Sequence, residues 1–295
     1  MTFLLRIAQA DAYCLPFEYV SEAEYPDLFR AGRAFTEYLQ HPTYLAIEPG
    51  RYTDDTAMSI GVAELLLERD PEDVPTAEEF ADKFVAVHQR DPRQGYSRYL
   101  QTAIDAATSG ADLITRLGDR ASIRNGAAMR AVPLGLLPSK ALIAQWADAS
   151  ARCTHNTARA VRSATMVGYA AFDAYHNGRF PAVPRASTLL RRAVSPMVDP
   201  QRVGLGMLTY YAATSVAAHT VAAAAQPRMR TLVRYVIDMG GDTDSVAAVA
   251  AGLAALHTSF ADTPEWMEAQ LEPDSDYGPA FLRDLSVQLL QKYPR

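Results

Sequence analysis

Apolar side chains recur along most of this chain at the three-and-four spacing of a helix buried on one face. Met58, Val62, Leu65 and Leu66 stand at i, i+4, i+7 and i+8 before Asp70-Pro71 ends the pattern. Val246, Val249, Ala250, Leu253 and Leu256 repeat it near the C-terminal end. The same reading predicts helices over 27–40, 77–90, 97–109, 139–152, 156–176, 203–225, 229–238 and 278–292. Strict alternation of β-branched and polar residues, the mark of a half-buried strand, is nearly absent. Breaks rich in Pro and Gly fall at 41–50, 70–76, 91–95, 133–138, 177–186 and 196–202. None is long enough, or rich enough in Ser and Gly, to be a domain linker. The pattern predicts an all-α fold, a single compact multi-helix domain over 1–295 without internal repeats.

Composition narrows the class. At 295 residues, with 49% hydrophobic and 21% charged residues, the chain can bury a large core. A net charge of −6 and a pI near 5.5 argue against broad electrostatic binding to nucleic acid or an anionic membrane. Cys14 and Cys153 are the two cysteines and form no C-x-x-C pair, so neither a disulfide framework nor a zinc cluster is expected. The apolar start is broken by Arg6, Gln9 and Asp11, and the alanine-rich run at 212–225 by Ser215, His219 and Thr220. Both are too short to span a bilayer, and a cytoplasmic protein with no membrane partner is expected.

Two acidic signatures carry most of the chemistry. Tyr52-Thr53-Asp54-Asp55-Thr56 and Gly240-Gly241-Asp242-Thr243-Asp244-Ser245 each stand directly before a predicted helix. A lone aspartate there ordinarily caps the helix by accepting its free backbone N–H groups. One cap needs one carboxylate, however, and here the acids come in pairs, the second pair behind two glycines that allow a tight turn. Aspartates interleaved with hydroxyls offer only oxygen, the donor set of Mg²⁺, Mn²⁺ or Ca²⁺. If the fold joins the two segments, their like charges repel unless cations sit between them.

Other motifs are weaker. Asn125-Gly126-Ala127-Ala128-Met129-Arg130 is either a turn entering a buried helix or a loop offering N–H groups to phosphate. In Thr154-His155-Asn156, Asn156 reads as a cap, and His155 as a structural histidine or a site residue. The segment 10–18 reads as a Pro-flanked acidic loop ending in Glu18. The six histidines show no H-x-x-x-H pair. A D-D-x-x-D clamp fails at Met58, and no P-loop or G-x-S-x-G occurs.

In order and spacing these five segments resemble the ADP-ribosylglycohydrolase family, which typically reads G-D-A-x-G-x-P-x-E, [YF]-T-D-D-T, G-N-G-[AS]-x-M-R, T-H and G-G-D-T-D-[TS]. The resemblance spans about 4–258. It implies an all-α domain holding two Mg²⁺ ions, or Mn²⁺, on Thr53, Asp54, Asp55, Asp242, Asp244 and Ser245. It implies Glu18 on a flap, with Glu18 or Asp55 as general acid or base. It further implies an ADP-ribose pocket lined by Asn125, Gly126, His155 and Tyr96; Arg124, where the family has glycine, reads either as a bidentate contact to pyrophosphate or as a surface arginine facing water. The activity implied is hydrolysis of ADP-ribosylated protein, ADP-ribosyl-arginine foremost, releasing ADP-ribose. Other linkages (seryl, O-acetyl or a non-protein acceptor) and a silent ADP-ribose-binding module are the alternatives, and a monomer is expected. Family glycines are replaced at Ala10, Cys14 and Arg124, Gly-Tyr-Gly becomes Gly95-Tyr96-Ser97, and Thr-His-Pro becomes Thr154-His155-Asn156.

Overall fold

The computed structural model describes residues 2–183, 204–224, 226–261 and 263–295. Among these residues every regular element is a helix. The N-terminal half holds α1 (Phe3–Cys14), α2 (Pro26–Ala34), α3 (Asp54–Glu68), α4 (Ala77–Arg90), α5 (Arg98–Ala106), α6 (Gly110–Leu117) and α7 (Gly126–Met129). The rest holds α8 (Lys140–Arg152), α9 (Ala158–Asn177), α10 (Leu205–Ala222), α11 (Met229–Met239), α12 (Thr243–His257), α13 (Glu265–Ala269) and α14 (Pro279–Lys292). The predicted break at 196–202 lies outside the described residues, as do the two ends of the predicted helix 203–225.

The central rod is α12. All of it except His257 is buried, and α1, α3, α9, α10 and α11 pack against it. Its alanines let those neighbours approach closely: a Cβ at Gly252 would lie 2.9 Å from both Ile7 and Val132. A helix apolar on every side belongs inside a bundle. One hydrophobic core results, running from Phe3 to Tyr293.

Three elements differ from the sequence pattern. The start of the chain is a buried helix, α1, and the predicted loop 10–18 is its C-terminal turn followed by a 3₁₀ turn, Leu15–Phe17. The predicted helix 27–40 stops at Ala34, where Phe35 takes a left-handed backbone (φ 58°). That turn puts the Phe35 ring edge-on to Tyr13 and Trp266, at centroid distances of 5.0 and 5.4 Å. Tertiary aromatic packing outweighs the helical pattern there. The predicted helix 97–109 is α5 alone, and a second short helix, α6, follows it, capped by the Ser109 hydroxyl.

Candidate metal centre and cleft

The N-terminal turns of α3 and α12 meet, although they lie far apart in the chain. The Ser245 hydroxyl donates to Asp55 Oδ2 at 3.2 Å across a separation of 190 residues. Between them is a cavity of about 60 Å³ lined by Asp54, Asp55, Asp242, Asp244, Ser245 and Glu18. Arg124, Asn125, Gly126 and His155 complete its wall.

The acids are not caps. Thr53 caps α3, its hydroxyl accepting from the Asp55 N–H at 3.3 Å, which frees both Asp54 and Asp55. Asp242 stands at the cap position of α12 without accepting from that helix. Its carboxylate instead accepts from the Tyr19 hydroxyl (3.2 Å) and Asn125 Nδ2 (3.1 Å). Gly240 and Gly241, at φ 68° and 84°, make the turn that delivers it.

Asp11, which the motif reading left without a role, organises the first signature. It is fully buried in α1 and accepts from Thr53 N, Thr53 Oγ1, Thr56 N and Thr56 Oγ1 at 2.6–3.2 Å. It thereby ties the start of α3 to α1. Burial pushes its pKa up to about 6, and those hydrogen bonds hold it from rising further. A carboxylate set between Ala10 and Ala12 in an apolar run is the signal for such a residue, since a buried acid needs a full set of donors.

The cleft is electrostatically incomplete. Glu18, Asp242 and Asp244 each bring a carboxylate oxygen within 4.8 Å of the others. Asp55 Oδ1, Asp242 Oδ1 and Asp244 Oδ1 are buried with no hydrogen-bond partner. Burial first, and repulsion by the neighbouring acids second, hold Asp54, Asp55 and Asp244 well above the usual carboxylate range. Glu18 rises to about 8, driven by burial and then by Asp242, with Arg124 opposing. Bare, clustered carboxylate oxygens fit hard divalent cations.

The remaining candidates fall into two groups. Asn125 ties Asp242 to Thr209 of α10, and Gly126 leaves room for His155, whose Cε1 would lie 2.7 Å from any Cβ there. Arg124 is exposed at the rim. Glu18 is half-buried on a segment pinned by Tyr19 N–H to Gly241 O (2.9 Å) and by His41 Nε2 to Glu18 O (3.2 Å). Two sequence candidates do not line the cavity. The Thr53 hydroxyl is turned to Asp11 (2.9 Å), and Tyr96 is buried behind Gly95 with its ring edge-on to His88. Gly95 itself lies against Asp54, whose Oδ1 would be 2.4 Å from a Cβ, and so forms that stretch of wall. Asn156, read as a cap, pairs with Arg152, while Thr157 caps α9.

Residues 4–294 match the ADP-ribosylglycohydrolase family model. An uncharacterized protein of Archaeoglobus fulgidus is 26% identical over 324 residues, covering 99% of this chain and 96% of its own. A solved chain described as an ADP-ribosylglycohydrolase-related protein complex shares the fold, with a TM-score of 0.64 at 20% identity, covering 98% of this chain and 95% of that one.

Proposed function

This chain belongs to the ADP-ribosylglycohydrolase family, and from that membership we propose that it hydrolyses the bond between ribose C1″ of ADP-ribose and a modified protein side chain, arginine foremost. The observation that carries the reading is the set of three buried carboxylate oxygens, on Asp55, Asp242 and Asp244, that no protein group satisfies. In this reading those residues, with Asp54 and Ser245, hold a pair of Mg²⁺ or Mn²⁺ ions. Thr53, its hydroxyl turned to Asp11, serves by tying the start of α3 to α1. When bound, the cations supply positive charge against the oxygens that gain charge as the glycosidic bond opens.

The protein's own groups do the rest. Glu18, half-buried beside the acids on the segment that closes the cleft, can donate a proton to the departing side-chain nitrogen. Asp55, on the facing helix, is placed to accept a proton from the attacking water. Asn125 and Gly126 shape the pocket wall for ADP-ribose, with Arg124 at the rim for its pyrophosphate. Tyr96 acts only from behind, as packing for the loop that carries Gly95.

The cavity of about 60 Å³ holds a few atoms, not a nucleotide. Binding therefore requires the Glu18–Tyr19 segment to lift, which breaks the contacts to Gly241 and Asp242. The family's replaced glycines do not obstruct the pocket: Ala10 and Cys14 are buried in α1, away from its lining. Arg124, at the third replaced position, changes the rim, where the acceptor side chain would enter.

A release assay with arginine-, serine- and O-acetyl-linked ADP-ribose in the presence of Mg²⁺ tests the reading. Turnover of the arginine linkage is expected. Release from another linkage alone would reassign the acceptor, and ADP-ribose binding with no release from any would make the protein a sensor.

A further inference from the structure

Arg130 is among the largest fully buried side chains, and among the described residues no carboxylate lies within ion-pair distance of it. It follows α7 and runs behind the cleft, with its guanidinium 4.7 Å from the Phe84 ring centroid. Its donors go to neutral groups: Ser150 Oγ, the Ser150 carbonyl and Thr154 Oγ1, the last at 2.8 Å. A permanent charge kept in the interior with Asp54 near but no carboxylate in direct contact calls for a role other than pairing.

The contact with Thr154 has a directional consequence. A guanidinium N–H can only donate, so Thr154 Oγ1 accepts from Arg130. The other partners of that buried hydroxyl are His155 Nδ1, at 2.8 Å, and the Cys153 thiol, whose sulfur is only a weak acceptor. Unless the hydroxyl proton goes to Nδ1, it is left with a weak sulfur acceptor, and a poorly satisfied buried hydroxyl is costly. Nδ1 is therefore the acceptor and the ring proton sits on Nε2. Burial, and the nearby positive charge of Arg130 and Arg124, push the His155 pKa down to about 3, so the ring is neutral. The Cε1–Nε2 edge faces Gly126 and the cleft.

We propose that Arg130 and Thr154 are positioning residues that hold His155 as the neutral Nε2–H tautomer and aim that N–H into the cleft as a donor to a ligand oxygen. Only the identity of that oxygen, on ADP-ribose, rests on the function proposed above. The relay also explains why His155 shows no spacing typical of a metal ligand: its work is hydrogen-bond donation across from the acids.

The decisive measurement is a two-bond ¹H–¹⁵N correlation on ¹⁵N-histidine-labelled protein without ligand at neutral pH, with His155 assigned by its loss in His155→Gln. The expected spectrum shows an unprotonated Nδ1 and a protonated Nε2. Thr154→Val should give a mixture of tautomers and weaken ADP-ribose binding about tenfold, the scale of one lost neutral hydrogen bond. Thr154→Ser should restore both. A protonated Nδ1 in the wild type would overturn the relay whether or not any variant folds. So would Thr154→Val with both the tautomer and the affinity unchanged. The expected tautomer in a wild type that binds no ADP-ribose would sink the substrate reading and leave the relay standing.

Discussion

Two clusters of charge lie back to back across the segment that begins the first acidic signature, and they are built on opposite principles. Behind it, the buried Glu272 accepts from the Tyr52 N–H (2.9 Å) and pairs with Arg51 (3.0 Å) and Arg93. Arg93 also holds Asp91 and lies 3.9 Å over the Tyr52 ring. In front, five acids share a cavity whose only basic side chains, among the described residues, are an exposed arginine and a neutral histidine. The rear cluster is closed by cations that the chain supplies; the front one is left open. An acid in the rear therefore stabilises the fold, whereas an acid in front strains it until something else brings positive charge.

The largest test of that contrast is removal of a front acid. Asp55→Ala or Asp244→Ala should reduce turnover to background and abolish the rise in Tm on adding Mg²⁺. The metal-free variants should be at least as stable as metal-free wild type, because repulsion has been relieved. A wild-type protein that shows no bound metal in elemental analysis at saturating Mg²⁺ would remove the basis of the contrast. Behind the loop the sign reverses. Glu272→Gln leaves the buried Arg93 with Asp91 alone and should cost about 1.5–3 kcal/mol in urea unfolding, while Mg²⁺ still raises Tm. A loss below about 1 kcal/mol, the scale of an exposed ion pair, would mean the rear cluster does not hold the loop.

Glu18→Gln comes next. It should lower kcat about a hundredfold with little change in ADP-ribose affinity, as expected for proton transfer. Equal rates would demote Glu18 to a flap residue.

Smaller again is a pH effect on the metal-free protein. Acids with raised pKa values in the fold bind protons that the unfolded chain has already lost, so stability must fall as pH rises. Asp11, near 6, and Glu18, near 8, place this loss between the ordinary carboxylate range and about pH 8. His155, lowered to about 3 from 6.5, acts in the opposite sense below pH 6.5. The carboxylates are therefore seen alone from about pH 6.5 to 8, where Tm should drop with EDTA and stay level with Mg²⁺. A rising Tm under EDTA would contradict the pKa order. The least effect belongs to Arg124→Ala, about 1.5 kcal/mol of ADP-ribose affinity at a charged but exposed contact. Unchanged calorimetric affinity would leave Arg124 facing only solvent.

Much of this was legible in the sequence, and the failures share a cause. Helices with one polar face, such as α4 and α14, announce themselves through periodicity. The buried α1 has no polar face, and its Gln9 and Asp11 look like interruptions until their partners are known. The donor chemistry of the two acidic signatures says what they can hold together, while their pairing in one site rests on the resemblance in order and spacing. Tyr96 was misplaced because motif adjacency cannot say which way a side chain turns: Gly95, beside it, is the residue that meets Asp54. The rear cluster was invisible, since Glu272 and Arg93 are 179 residues apart and neither belongs to a motif.

The meeting of Ser245 with Asp55 across 190 residues also fixes when the centre can come into being. During synthesis the first half of the site, on α3, leaves the ribosome long before α12 exists. Closing so long a loop gains nothing until α12 docks against α1, and contacts of this separation form slowly. A nascent or truncated chain lacking α12 presents Asp54 and Asp55 without Asp242, Asp244 and Ser245, and has no complete acidic cluster. Assembly of the acidic cluster thus reports that α12 has docked, and premature termination anywhere before α12 yields a product without it.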